Sequence, residues 1–415
     1  MRFGQVAVWV GIGLSGCGGE AAVVEPTTTA SEAPVAVPLG KEDNFLSDSA
    51  REYLVEGSTT VTLDAEHASA TDAERLALAK RLIPYRQVAV AWFLNAYISP
   101  KDDKDKNAKY GGYSALTKNG SFEDLNIRPV SGSDGLTYSF TFRQELAGPM
   151  DLLAKLPVTY GSKGEMMLDL LVGIVPNEDL ENLAAGGEWF RSEPWADFHP
   201  GKVSSDQLET IPLTITPQPR SSDAWVDTPR LFDDGKVTIA VHFGWDYHSA
   251  SHLKESKRLF AWLVAQGYRA PETDWDHLTR KSRPFTRRIQ AGGKPVDVEV
   301  SIFFGKPGTD TDTDTDAGGK QLVKDMIHSL ETREVVLYSG HSGPFWGFSL
   351  ANWKKTDFGE IDDNVLQTLD LPEFYQVVLA EGCETYAIGQ AFFDNPAKAS
   401  RTNLDIVTTT TYSTA

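Results

Sequence analysis

Cysteine is almost missing from this chain: 415 residues carry two, Cys17 and Cys383. That excludes a disulfide-dense scaffold and any cysteine-cluster zinc or iron–sulfur site. Positive charge is also in deficit, with 39 Lys plus Arg against 58 Asp plus Glu and a formal net charge of -19. Such a field repels a polyanion, so no nucleic-acid partner is expected. Phosphate-loop and dinucleotide fingerprints are absent too: Gly11-Ile-Gly13 lies in the leading segment, and Gly318-Gly319 lacks a following Lys-Ser or Lys-Thr. No internal repeat is visible. What remains is 41% hydrophobic and 23% charged, enough for a real core, and the length allows two or three domains.

The first residues read as an address. Arg2 precedes the apolar stretch Val6–Leu14, followed by Ser15-Gly16-Cys17-Gly18-Gly19. The stretch is too short to span a hydrocarbon core, and its order of charge, apolar run and small residues fits a secretory signal. Leu14-Ser15-Gly16-Cys17 also resembles a bacterial lipobox, which implies a lipoprotein signal over 1–16 and lipid attachment at Cys17. The expected setting is a bacterial cell envelope, with a lipid anchor in the outer membrane. An ordinary signal peptide is the plainer alternative. Residues 17–49 mix Pro, Thr and Ala without useful period and read as a flexible tether.

Residues 50–220 suggest an accessory mixed α/β or α+β domain. Thr71 with Glu74 three positions later starts a plausible helix over 71–83, whose Leu76, Ala79, Leu82 and Ile83 share a face. Val88–Ile98 looks like a strand, Leu136–Phe142 alternates as a half-buried strand should, and Met166–Val175 fits either element. No catalytic motif stands out here.

Residues 230–415 read as α/β. Strand patterns at Val237–Phe243, Val296–Phe304, Glu334–Tyr338, Tyr375–Ala380 and Leu404–Thr408 alternate with helical ones at Leu253–Gln266, Gly319–Leu330 and Tyr386–Phe393. This alternation implies a mostly parallel sheet covered by helices on both faces, with chemistry beyond the strand C-termini. Two inserts look solvated: the basic run Arg280, Lys281, Arg283, Arg287 and Arg288, and the like-charged alternation Thr309–Asp316. The latter lacks the glycine and final glutamate of a calcium loop, though its carboxylates leave a cation open.

Two apolar strands each deliver one reactive residue. Val335-Val-Leu-Tyr-Ser-Gly-His341-Ser342-Gly343 sets a histidine just past one strand end, and Gln376-Val-Val-Leu-Ala-Glu-Gly-Cys383 sets a thiol past another, where a helix should begin. A thiol near its free pKa of about 8.5 is a poor nucleophile at neutral pH, and an adjacent imidazole activates it. Amides of Ser342 or Gly343 and of Cys383 would face the developing oxyanion. The alternative is structural: Cys383 as a small buried hydrophobe, His341 as a hydrogen-bonded strand-end residue. Trp346 and Phe348 could wall a substrate cleft or pack in a core.

These positions resemble the caspase/legumain-like cysteine endopeptidases, which include metacaspases, gingipains, separases and clostripain. The likeness spans roughly 235–410 and implies a caspase-like fold, a His341–Cys383 dyad, no cofactor and a peptide or protein substrate. Ser342 stands where the family has glycine, and Glu384-Thr385 follow the cysteine. Those departures keep open a catalytically inactive relative that binds a peptide or an envelope protein. A third reading, a metal-dependent hydrolase, rests on His242, His248 and His252 with Asp246 nearby.

Overall fold

A computed structural model describes residues 47, 50–98, 116–117, 123–185, 187, 189–196, 198–220, 225–343 and 346–410. The signal segment, Cys17 and all of the tether but Ser47 lie outside the described residues. Among the described residues no helix is long and apolar enough to cross a membrane.

The N-terminal half is built on antiparallel pairing. Strands β1 (Ala50–Thr62), β2 (Leu116–Thr117), β3 (Glu123–Pro129), β4 (Thr137–Pro149), β5 (Thr159–Tyr160), β6 (Met166–Gly173) and β7 (Leu208–Pro217) form one sheet. Its order is β2-β4-β1-β7-β6-β5, with β3 also paired to β4. Along β4 buried and half-buried residues alternate from Thr137 to Glu145, as the sequence suggests.

Helix α1 (Asp72–Ile98) packs on this sheet and starts with the expected capping box. The Glu74 carboxylate accepts from the Thr71 backbone N–H at 2.8 Å, and the Glu74 N–H reaches Thr71 Oγ1 at 3.3 Å. The helix runs through Pro84 and continues to Ile98, so the strand reading of Val88–Ile98 is corrected. The physical reason is burial on both sides. Phe93 packs on one side toward the sheet core and meets Trp189, Trp195 and Phe198 from the loop that covers the helix. A helix enclosed all round loses its polar face, and its apolar run then mimics a buried strand.

The C-terminal half is an α/β layer structure, with helices packed against a mixed sheet. Strands β8 (Lys236–Phe243), β9 (Phe285–Ala291), β10 (Lys294–Phe304) and β11 (Val335–Ser339) come first. After the small hairpin sheet β12 (Ser342–Gly343), β13 (Gly347–Ser349) and β14 (Glu360–Ile361) come β15 (Gln376–Glu381) and β16 (Leu404–Val407). The main sheet has the order β16-β15-β11-β8-β10-β9; all its pairs are parallel except β9 with β10. Helix α2 (Ser251–Ala265) follows β8 and precedes the β9–β10 pair, α3 (Asp316–Thr332) joins β10 to β11, and α4 (Gly389–Asp394) lies between β15 and β16.

Alternate residues of one strand enter two cores. Val335 and Leu337 of β11 pack with Leu259 and Leu263 of α2, whereas Val336 and Tyr338 pack with Leu322 and Met326 of α3 and Phe392 of α4. Both faces are therefore covered, as the near-continuous apolar strands imply. The two halves meet at a buried hydrogen bond, where Tyr386 Oη donates to Glu52 of β1 at 2.8 Å.

Both inserts read as solvated keep most of their charged residues exposed, and several of these also form ion pairs. Arg280 makes a bidentate pair with Asp325 of α3, both bonds 2.6 Å, while Arg288 clasps Asp297 across β9 and β10. The Thr309–Asp316 run folds with Thr311 and Thr313 buried and its carboxylates turned to separate partners. Asp310 pairs with Lys281 at 2.8 Å, Asp314 accepts from Asn352 at 3.3 Å, and Asp316 pairs with Lys320 at 2.8 Å. Within the run Thr311 and Thr313 turn inward while Asp310, Asp314 and Asp316 face solvent, and these carboxylates do not converge on a common point.

Candidate functional site

The site lies where the strand order reverses. From β8 the chain moves to β10 on one side, and from β10 it returns past β8 to β11 on the other. The carboxyl ends of β8 and β11 flank this switch point, the usual place for ligands in an open parallel sheet.

Register brings the two sequence-selected residues to one rim. Ser339 of β11 pairs with both Phe243 of β8 and Glu381 of β15. Each of these three residues is followed by a glycine: Gly340, Gly244 and Gly382. The glycines form a row in which the backbones pack closely. A Cβ on Gly340 would lie 2.8 Å from Gly244 Cα, and one on Gly382 would lie 2.9 Å from the Gly340 carbonyl. Gly244 N–H donates to Ser339 O at 2.9 Å and Gly340 N–H to Glu381 O at 3.1 Å, which extends the ladder one step past the strands. One residue beyond the row stand His341 and Cys383, each two positions past the paired Ser339 and Glu381.

His341 is held by a partner that the sequence reading leaves unassigned. Its Nε2 lies 3.2 Å from Asp246 Oδ1, and the Tyr247 ring stacks on the imidazole with centroids 4.8 Å apart. Asp246 is itself fixed. Its carboxylate accepts from the backbone N–H groups of His248 at 3.2 Å and of Ser249 and Ser251 at 2.9 Å. Burial alone would raise its pKa, but these three backbone donors and the His341 ring together hold the carboxyl far below the usual range. Asp246 is thus a permanent anion that faces an imidazole. The sequence signal for it was the repeated pattern of apolar strand, glycine, reactive side chain. Asp246 stands two positions past Gly244, with Trp245 between them, whereas His341 follows Gly340 directly.

Burial lowers the His341 pKa, and the hydrogen bond and charge of Asp246 oppose that fall. The ring is about one-third exposed. An imidazole of this kind is neutral at neutral pH, so it can accept a proton as a general base.

Cys383 is in no disulfide and is partly exposed, so it is not sealed in the core. Beneath the rim, Tyr338 Oη donates to the His341 and Ser349 carbonyls, while Ser342 Oγ donates to the Cys383 carbonyl. The Tyr338 phenol is pushed well up, first by its burial and then by its electrostatic interaction with Cys383. The sulfur and the histidine loop therefore share one buried neighbour. Glu381 is driven upward mainly by burial, which favours its neutral form and weakens its opposition to a thiolate.

The expected helix at Cys383 begins later. A 3-10 turn covers Thr385–Ile388 and α4 follows at Gly389, with Glu384 in the left-handed region at φ 58°. The dipole of a long helix is thus not available to the thiol. Ser342 and Gly343 lie buried in β12, against Phe348 and Gly347 of β13. Phe348 is core, packed on Tyr338 at 4.6 Å, rather than a cleft wall.

The three-histidine cluster does not form. His242 is buried and stacked on Phe303 at 4.5 Å, and burial lowers its pKa to about 3. His252 is buried on α2, where its Nδ1 accepts from the Asp246 N–H at 3.3 Å. Instead, among the described residues, Asp246, His248 and His341 bring their ligand atoms within 4.8 Å of one another; Cys383 is not a member of that group. Compared with known proteins, the chain matches no family model, no curated protein and no solved structure. Its function has to be argued from this geometry.

Proposed function

We propose that the protein is a cysteine endopeptidase of caspase-like architecture, with Cys383 as nucleophile, His341 as acid–base and Asp246 as the group that orients the ring. The observation that carries the reading is the common register of His341 and Cys383 beyond neighbouring parallel strands, with His341 Nε2 turned to Asp246. The sheet order, with its reversal between β8 and β11 and a glycine after each strand end, supports the caspase-like assignment.

With Nε2 committed to Asp246, Nδ1 is the ring nitrogen left for proton exchange. His341 takes the thiol proton there, and the sulfur adds to the scissile carbonyl carbon. The protonated ring, stabilised by the Asp246 anion, gives its proton to the leaving amine as the C–N bond breaks. Water then cleaves the thioester, restores the thiol and releases the acid. Amides of Ser342, Gly343 and Cys383 are assigned in this reading to receive the oxyanion.

The reading is tested by the alkylation rate of Cys383 in the metal-free protein. It should exceed that of a free thiol at pH 7, fall in His341→Ala and fall less in Asp246→Asn. A fluorogenic peptide mixture should be hydrolysed by the wild type and not by Cys383→Ala. Ordinary thiol reactivity, independent of His341, would sink the proposal.

A second reading is a catalytically inactive peptide-binding relative. It is favoured by the late helix start after Cys383 and by the left-handed Glu384 beside it. Peptide capture without turnover, unchanged in Cys383→Ala, would select it. In either case we infer export and lipid attachment at Cys17 from residues 1–19, which places the protein on an envelope membrane. Loss of radiolabelled lipid on changing Cys17 tests that inference.

A further inference from the structure

We infer that Asp246, His248 and His341 form a site for a divalent first-row transition ion of the zinc type, and that the ion competes with the proton for His341 Nε2. Asp246 Oδ1 lies 3.2 Å from His341 Nε2 and 3.5 Å from His248 Nδ1. A tetrahedral ion with bonds of about 2.0–2.1 Å holds its ligand atoms about 3.3–3.4 Å apart. These two separations bracket that value, and all three ligand atoms lie within 4.8 Å of one another.

The ligand set selects the class of ion. Two imidazoles and one carboxylate suit zinc or its neighbours, whereas calcium and magnesium require mainly oxygen. The surroundings resemble a second coordination shell. Ser249 and Ser251 amides hold the far oxygen of Asp246, and Tyr247 lies against both rings, 4.8 Å from His341 and 3.9 Å from His248. His248 is 64% exposed, so its ring can turn toward an ion without disturbing the core and leave the remaining positions to water. The sequence gives no metal motif because the ligands come from two loops 95 residues apart.

The consequence rests on the peptidase reading. An ion on Nε2 confines the ring proton to Nδ1, the nitrogen that must accept the thiol proton. His341 then ceases to be a base, and the ion is an inhibitor of the site rather than its cofactor.

The test is a calorimetric titration of the full chain with ZnCl₂, repeated with His248→Gln and with Cys383→Ser. One ion per chain is expected in the wild type and in Cys383→Ser, with affinity at least about tenfold weaker in His248→Gln. Cobalt(II) should give the d–d bands of a tetrahedral site without sulfur-to-metal charge transfer. Equal affinity in wild type and His248→Gln, absence of binding, or a spectrum with sulfur ligation would overturn the site. Zinc should slow Cys383 alkylation in the wild type at concentrations that leave His248→Gln unaffected; equal slowing in both would overturn it as well. The peptidase reading fails separately, if the metal-free thiol is ordinary while the titration still reports the ion.

Discussion

The two halves bury strands in opposite ways. In the N-terminal sheet neighbouring strands run antiparallel, so their ends are divided between two edges. In the C-terminal sheet five of six strands are parallel, and every strand that leads to a reactive side chain ends on one edge. Antiparallel pairing lets a chain close a core with short connections, but it scatters loops. Parallel pairing requires covering helices, and in return it gathers loops from distant sequence into one crevice. Asp246, His341 and Cys383 are close in register for that reason alone. The first half, whose polar groups serve packing and capping, is expected to matter for stability rather than for chemistry.

The largest effects should separate these roles. His341→Ala is expected to lower peptide hydrolysis by about 10²–10⁴-fold, the usual worth of an acid–base group, with little change in melting temperature. Asp246→Asn should cost less than His341→Ala. Phe93→Ala, inside the aromatic cover of α1, should do the reverse. It should destabilise by about 3–5 kcal/mol in denaturant unfolding and leave the specific activity of the folded fraction intact. A large kcat loss from Phe93→Ala, with folding preserved, would break the division between the halves.

A smaller effect sharpens it at the rim. Gly340→Ala would bring a methyl to 2.8 Å from Gly244 Cα, where backbone must move. Overpacking of this kind costs about 1–3 kcal/mol. Because the shift also moves the base of the His341 loop, activity should fall beyond the loss of folded protein. Full specific activity in the folded Gly340→Ala protein would show that the glycine row supports the sheet without setting the site.

Much of the C-terminal half is legible in sequence because the central strands β8, β11 and β15 are near-continuous apolar runs while α2 and α3 are amphipathic, so their periods differ. Strand β9 escapes notice since its Arg287 and Arg288 resemble a solvated run, although Arg288 is paired across to Asp297. In the N-terminal half α1 is legible where it has a polar face, up to Ile83, and loses its helical signature where the aromatic loop covers it. The candidate site is legible in part. His341 and Cys383 follow strands that can be seen, and Asp246 lies three residues past the end of β8, but only the order of β8 between β10 and β11 brings it to His341. Strand order is a long-range property that no local period encodes.

Acid should weaken the C-terminal half through His242. Burial lowers its folded pKa to about 3, against about 6.5 in an unfolded chain. Between those values the unfolded state binds the additional proton, so stability rises with pH across this window and is lost as pH falls. The slope is at most about 1.4 kcal/mol per pH unit for one proton, and above pH 6.5 the effect disappears. His242→Leu, which keeps the ring's approximate volume beside Phe303, should flatten the dependence between pH 6 and 4 in urea unfolding monitored on the C-terminal half. An unchanged slope would assign the acid sensitivity to other groups.

The smallest expected effect lies at the start of α1. Thr71→Ala removes the hydroxyl that accepts the third-position amide of the helix. Loss of an N-cap costs about 1 kcal/mol when the helix is otherwise intact. The cap is exposed and distant in sequence from the site elements, so neither hydrolysis nor zinc affinity should change. Hydrogen exchange is the measurement that localises the effect. First-turn amides of α1 should exchange faster, while those of Val90–Leu94, enclosed by the aromatic loop and the sheet, keep their protection. Faster exchange at the enclosed turns would mean that the cap, rather than burial, sustains the helix beyond Pro84, and that the N-terminal half folds from this helix end.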